Sequence, residues 1–282
     1  MAASKNIALI AKRLGLHEWQ VENTIRLLDD GTTIPFISRY RKEMTGSLDE
    51  VKLLHIKDEY TRLKDLDSRR ESVIKSIVEQ DKMTPQLQEK IESAVTMAEL
   101  EDLYLPYRPK RRTRATIARE KGLEPLARLI MEQKETDPER LAEEFINDSV
   151  ADSGEAVAGA GDIIAEWINE DQTARMRLRN LYDREAVIWS KSVKGKETDG
   201  IKFRDYFDWS EPLRKCPSHR LLAMRRGEEE GFLRLAILPD EDNATAILDS
   251  LFVKGRNKSS EIVASSVRDS WKRLLAPSME TE

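Results

Sequence analysis

The sequence predicts a mainly α-helical, multi-helix array with helix-turn-helix-like elements and a small mixed α/β section near its C-terminal part. Three observations predict it. Only 12 glycines and 10 prolines occur in 282 residues, while 35% of residues are charged and 39% hydrophobic. That composition suits helices with broad solvated faces. Apolar residues then recur at helical spacing behind repeated capping signals. After about Ala186 the pattern changes to short apolar runs bounded by Gly and Pro, which is how strands read. The expected organisation is a helical domain over 1–185 and a mixed helical and short-strand section over 186–282.

Each element has its own signal. Ile7, Ile10 and Leu14, then Val21, Ile25 and Leu28, define helices over Asn6 to Leu14 and Glu18 to Asp29, with Gly15 between them and Gly31 closing the second. Two short helices with a tight turn have the outline of a helix-turn-helix, which any antiparallel helix pair shares. Thr32 to Gly46 reads as a connection, and Ser47 with Glu50 as a capping box. Leu53, Ile56, Tyr60, Leu63, Leu66, Arg70, Ile74 and Ile77 then mark one long helix to about Gln80. Thr84-Pro85, Thr96 with Glu99, Asp137-Pro138 and Asp171 open further helices. Ala156, Ala160 and Gly161 are small residues that permit close helix approach. Beyond the pattern change, Val187 to Trp189 and Gly231 to Leu238 are the strand-like runs. An aromatic cluster, Phe203 to Trp209, lies between them. Helices return over Pro217 to Arg226, Thr245 to Val253 and Ser259 to Leu275.

Charge is distributed unevenly. The chain has 47 basic and 52 acidic residues, a net charge of −5. Yet seven basic residues (Arg108, Lys110, Arg111, Arg112, Arg114, Arg119 and Lys121) fall in one stretch with a single acid, Glu120. Net negative charge argues against coating nucleic acid over the whole surface, while a local positive field suits phosphates or an acidic partner. Arg108, Lys110, Arg111, Arg112 and Arg114 occupy a proline-bounded turn beside Tyr107, and aromatics next to guanidinium groups suit stacking on unpaired bases. Two fates are open to these arginines: an outward patch, or an internal ion-pair network with nearby acids. Arg39, Arg41 and Lys42, beside Phe36 and Tyr40, form a smaller basic group. Arg214, Lys215, Arg220, Arg225 and Arg226 form another.

Catalytic signals are sparse. His17, His55 and His219 are scattered, and the single cysteine, Cys216, gives no zinc-ligand spacing. No phosphate loop, nucleophile elbow or H-E-x-x-H is present. Asp240-Glu241-Asp242 reads as an acidic loop after a strand, and Cys216 as an inert thiol. We expect no enzyme, no cofactor and no metal site. One cysteine, with no apolar run of membrane-spanning length, predicts a cytoplasmic protein with no membrane partner.

The segments IPFISRYRKEMTGSLDE (Ile34 to Glu50), ELEDLYLPYRPKRRTRATIAREKGLEPLA (Glu99 to Ala127) and GIKFRDYFDWSEPLRKCPSHRLLAMRRGEEEG (Gly200 to Gly231) resemble the N-terminal region of the bacterial Tex-like transcription accessory family. The resemblance covers essentially the whole chain, which matches roughly the first third of such proteins. It implies that family members continue into an RNase-H-like domain, helix-hairpin-helix elements and a C-terminal OB-fold domain that binds RNA. It also implies kinship with a eukaryotic elongation factor. It supplies no catalytic residues here. The expected function is a helical scaffold making auxiliary, sequence-independent phosphate contacts. The expected partners are nucleic acid, with RNA favoured over DNA, the C-terminal domains of the family, and the transcription machinery. The alternative is an architectural module docking onto those domains or that machinery.

Overall fold

A computed structural model of the chain describes residues 2–109, 112–134 and 137–282. The chain divides into two units, Met1–Tyr107 and Arg108–Glu282.

In the first unit, α1 (Ala2–Leu14) and α2 (Glu18–Asp29) follow the apolar periodicity. The stretch expected as a connection instead folds into two short helices, α3 (Ile34–Tyr40) and α4 (Lys42–Thr45). They are too short to show a period, but one side must be buried. Ile37 is fully buried in the same core as Leu53 and Ile56, and backbone packed there needs internal hydrogen-bond partners. The long helix α5 (Glu50–Val78) spans 29 residues, about 44 Å at 1.5 Å per residue. Its cap differs from expectation. Ser47 sits in the left-handed region at φ 60°, and Asp49 accepts from the Lys52 backbone N–H at 2.8 Å instead. Asp49→Ala is therefore expected to cost about 1 kcal/mol, read as a lower urea midpoint, while Ser47→Gly removes a strained φ and is expected to stabilise. Leu53, Ile56 and Leu63 join one core; Leu66, Val73 and Ile77 join a second with α6 (Pro85–Ser93) and α7 (Met97–Tyr104). Arg70, part of the predicted stripe, donates to the carbonyls of Ile91 at 3.1 Å and Ala94 at 2.9 Å. It thus satisfies C-terminal carbonyls of α6 that have no helical partner. Thr84 and Thr96 cap α6 and α7 as expected, the latter with Glu99.

The second unit opens with α8 (Arg114–Glu120), α9 (Glu124–Glu132), α10 (Pro138–Ala142), α11 (Ser153–Glu170) and α12 (Gln172–Glu185). Helix α11 is central. Ala156, Ala160, Ile163, Ile164 and Ile168 are fully buried among side chains of α8, α9 and the C-terminal helices. The sheet starts at β1 (Val187–Ser192), where the sequence pattern changes, inside the second unit. It continues with β2 (Asp208–Pro212) and, after α13 (Ser218–Glu229), β3 (Leu233–Leu238). The order is β2-β1-β3, antiparallel throughout, with Trp189 opposite both Ser210 and Ala236. Ile188, Phe203, Met224 and Leu233 form the small core between sheet and helix. Three helices close the unit: α14 (Glu241–Phe252), α15 (Lys258–Ser270) and, after a π-helical turn at Trp271–Leu275, α16 (Ala276–Thr281). No helix among the described residues is long and apolar enough to cross a membrane.

Candidate nucleic-acid interface

The basic segment begins where α7 has ended. Pro106 lies in a single 3₁₀ turn, Leu105–Tyr107. Tyr107 is half-buried against the α5–α7 core, and its carbonyl accepts from Gln80 Nε2 at 2.9 Å. Tyr104 is buried, shares a 3.0 Å hydrogen bond with Ser76, and carries the Arg69 guanidinium over its ring. Both tyrosines are thus engaged in the first unit's packing.

Both fates open to the arginines occur in one segment. Arg108 and Arg114 are exposed, and neither has a carboxylate within 4.0 Å among the described residues. Arg112 is exposed and pairs with Glu120, which is also exposed, at 2.7 Å. Lys110 and Arg111 lie outside the described residues. Further along, the charges turn inward. Arg119 donates to Glu166 on α11, whose side chain is only 8% exposed, and lies 3.5 Å from Glu124. Lys121 pairs with Glu155 at the start of α11. That contact and the Ala151 backbone N–H hold the Glu155 carboxyl below the usual range. Thr113 caps α8 and reaches Glu166 at 3.3 Å. The segment therefore has an anchored C-terminal half and outward cations ahead of it. Arg114 also acts at a distance. Burial raises the Asp162 carboxyl above its usual range, against the opposing fields of Arg273 and Arg114.

The smaller group is more uniform. Arg39, Arg41 and Lys42 are all exposed on α3 and the start of α4, with no carboxylate within 4.0 Å among the described residues. Phe36 and Tyr40, one turn apart on α3, are 42% and 64% exposed, with ring centroids 5.0 Å apart at 45°. The Arg41 guanidinium lies 5.7 Å from the Phe36 ring centroid. The third basic group is largely consumed internally. Arg220 pairs with Glu211 and covers Trp209, Arg225 pairs with Glu228, and Arg226 with Glu230.

The remaining candidates have local explanations. Among the described residues no group of three His, Cys, Asp or Glu is placed to hold a metal ion. Asp240 caps α14 by accepting from Asn243 at 3.0 Å, and Glu241 pairs with Lys272. Burial and the neighbouring Glu211 push the Cys216 thiol upward, away from the thiolate that reactivity needs.

Comparison with known proteins assigns the class. A family described as Tex central region-like matches residues 133–282, and one described as Tex-like protein N-terminal domain matches residues 4–78. The chain belongs to the Tex family of transcription accessory proteins. It is 43% identical over 278 residues to YdcI of Bacillus subtilis, covering 97% of this chain and 39% of that protein. It is 47% identical over 233 residues to protein tex of Bordetella pertussis, covering 82% and 30%. It is 40% identical over 280 residues to the transcriptional accessory protein Tex of Neisseria gonorrhoeae, covering 97% and 37%. The chain thus spans between 30% and 39% of the length of these relatives.

Proposed function

We propose that this helical scaffold makes auxiliary, sequence-independent phosphate contacts with RNA in a transcription-associated setting. One observation carries the reading. In a protein of net charge −5, Arg39, Arg41, Lys42, Arg108 and Arg114 are exposed without a carboxylate partner within 4.0 Å among the described residues. Arg112 joins them through an exposed pair worth about 0–1 kcal/mol, which a phosphate readily replaces. Lys110 and Arg111 fall in the same run and are assigned the same role. RNA is favoured over DNA because relatives 29% and 30% identical to this chain are named S1 RNA-binding domain-containing protein 1. The role assigns no catalysis and belongs in the cytoplasm.

The test is binding of a labelled single-stranded RNA to the whole chain across a salt series. Each phosphate contact contributes a slope of about −0.7 in log affinity against log salt. The triple variant R108E/R112E/R114E is expected to weaken binding by at least about tenfold and to reduce the slope by about 2, with the melting temperature held. Undetectable or salt-independent binding by the parent chain removes the reading. The ion pairs of Arg119 and Lys121 favour a second reading, an architectural module docking onto other domains or the transcription machinery. It gains if the triple variant binds RNA like the parent but loses melting temperature or a partner.

A further inference from the structure

The group on α3 and α4 has a feature that phosphate neutralisation does not use. Phe36 and Tyr40 lie at i and i+4, so their rings share one face of α3. They are large apolar groups left 42% and 64% exposed, in mutual contact, beneath the Arg41 guanidinium. The opposite side of the helix is fixed. Thr33 precedes it, Pro35 sits in its first turn, Ile37 is fully buried, and Ser38 Oγ donates to Glu50 at 3.0 Å. The rings therefore stand on a held backbone. Arg39 and Lys42 flank them without carboxylates, and the acid within the stretch, Glu43, is exposed and makes no ion pair within 4.0 Å among the described residues.

We infer that α3 and α4 form a base-stacking platform for single-stranded RNA: Phe36 and Tyr40 receive unpaired bases while Arg39, Arg41 and Lys42 hold the adjoining phosphates. This rests on the nucleic-acid reading above and adds what that reading leaves open, the state of the strand. Phosphates are present in every nucleic acid, so cations alone do not choose between single strands and duplexes. Exposed rings do choose. A duplex has its base faces stacked on one another, and an unpaired base has a free π-face whatever its identity. Arg41 over Phe36 adds a cation to the same stack.

The test compares three probes on the whole chain: a 12-nucleotide mixed-sequence RNA strand, its duplex, which carries twice the phosphates, and a 12-nucleotide strand with abasic sites at its central positions. The parent chain is expected to bind the intact strand about tenfold more tightly than either other probe. Phe36→Leu and Tyr40→Leu keep an apolar side chain and remove the ring; each is expected to lower affinity for the intact strand about tenfold with the salt slope unchanged. Arg39→Glu with Lys42→Glu is expected to reduce the slope and to weaken all three probes. A 2-aminopurine placed in the intact strand is expected to lose fluorescence on binding the parent chain and to retain it with the Leu variants. Equal affinity for abasic and intact strands, with both Leu variants binding as the parent does, overturns the platform and leaves the phosphate reading standing. Failure of every probe to bind removes both.

Discussion

Arg119→Met is expected to destabilise the second unit by about 3 kcal/mol. Helix α8 has seven residues, too few to persist by propensity alone. Ala115 and Ala118 bury one side of it, but both are small. Polar contacts with α11 add the Arg119–Glu166 and Lys121–Glu155 pairs and the Thr113–Glu166 hydrogen bond. Glu166 is 6% exposed, and removing a cation that faces a buried carboxylate costs up to about 3–5 kcal/mol, less here because Arg273 also acts on Glu166. Arg119 is itself 30% exposed, and Thr113 Oγ still donates to Glu166. Both lower the figure towards its smaller end. Methionine retains the apolar stem that covers neighbouring surface, so the loss reports the charge and not packing. Urea unfolding followed by Trp167 and Trp271, which belong to the same core, gives the number. Arg112→Met provides the contrast. Its pair with Glu120 is exposed on both sides, so the expected change is below about 1 kcal/mol. Equal midpoints for the two variants would show that Arg119 does not anchor the segment.

That contrast also marks how far the sequence was legible. Arg112 and Arg119 are seven positions apart, of one residue type and in one basic run. What separates them is Glu166, 47 residues beyond Arg119, and no local pattern carries that pairing. Caps were legible for the opposite reason. Thr84, Thr96 and Asp171 bond to backbone within three residues, so their effect is written in adjacent positions. The long stripe of α5 and the small residues of α11 were readable because they repeat. Strand β2 was not: Asp-Trp-Ser-Glu-Pro has no β-branched residue, and its pairing with β1 comes from partners about twenty residues upstream. Helices α3 and α4 were missed because seven and four residues are shorter than the window in which a period shows. The cations on them were already candidates in the sequence, yet the lack of a carboxylate within 4.0 Å of them among the described residues, and the contact between Phe36 and Tyr40, exist only in the folded arrangement.

Gly46→Val is expected to cost the first unit about 3 kcal/mol. Gly46 follows α4 at φ 67°, in the left-handed region, where a β-carbon alone costs about 1–2 kcal/mol and a β-branched side chain fits worse. Space is lacking as well. A β-carbon there would stand 2.6 Å from Gln20 Nε2 and 2.8 Å from Trp19 Cη2. Trp19 is 47% exposed and has room to swing. Gln20 does not: it is 8% exposed, and the same Nε2 donates to the Thr45 carbonyl at 3.2 Å. Moving it strands a buried amide and a buried carbonyl, a loss of about 1–3 kcal/mol. Gly15→Ala separates the two contributions, since Gly15 has φ 64° with nothing within 4 Å of the added carbon; only the backbone cost of about 1 kcal/mol applies there. Chemical denaturation followed by Trp19 fluorescence measures both. A difference of about 2 kcal/mol between the variants is the contact contribution. Because α4 carries Lys42 and follows directly on Arg41, Gly46→Val is also expected to weaken single-strand binding, whereas Gly15→Ala leaves it intact. Identical stabilities would mean that the Gln20 amide yields freely and that α4 is not held where the stacking platform needs it.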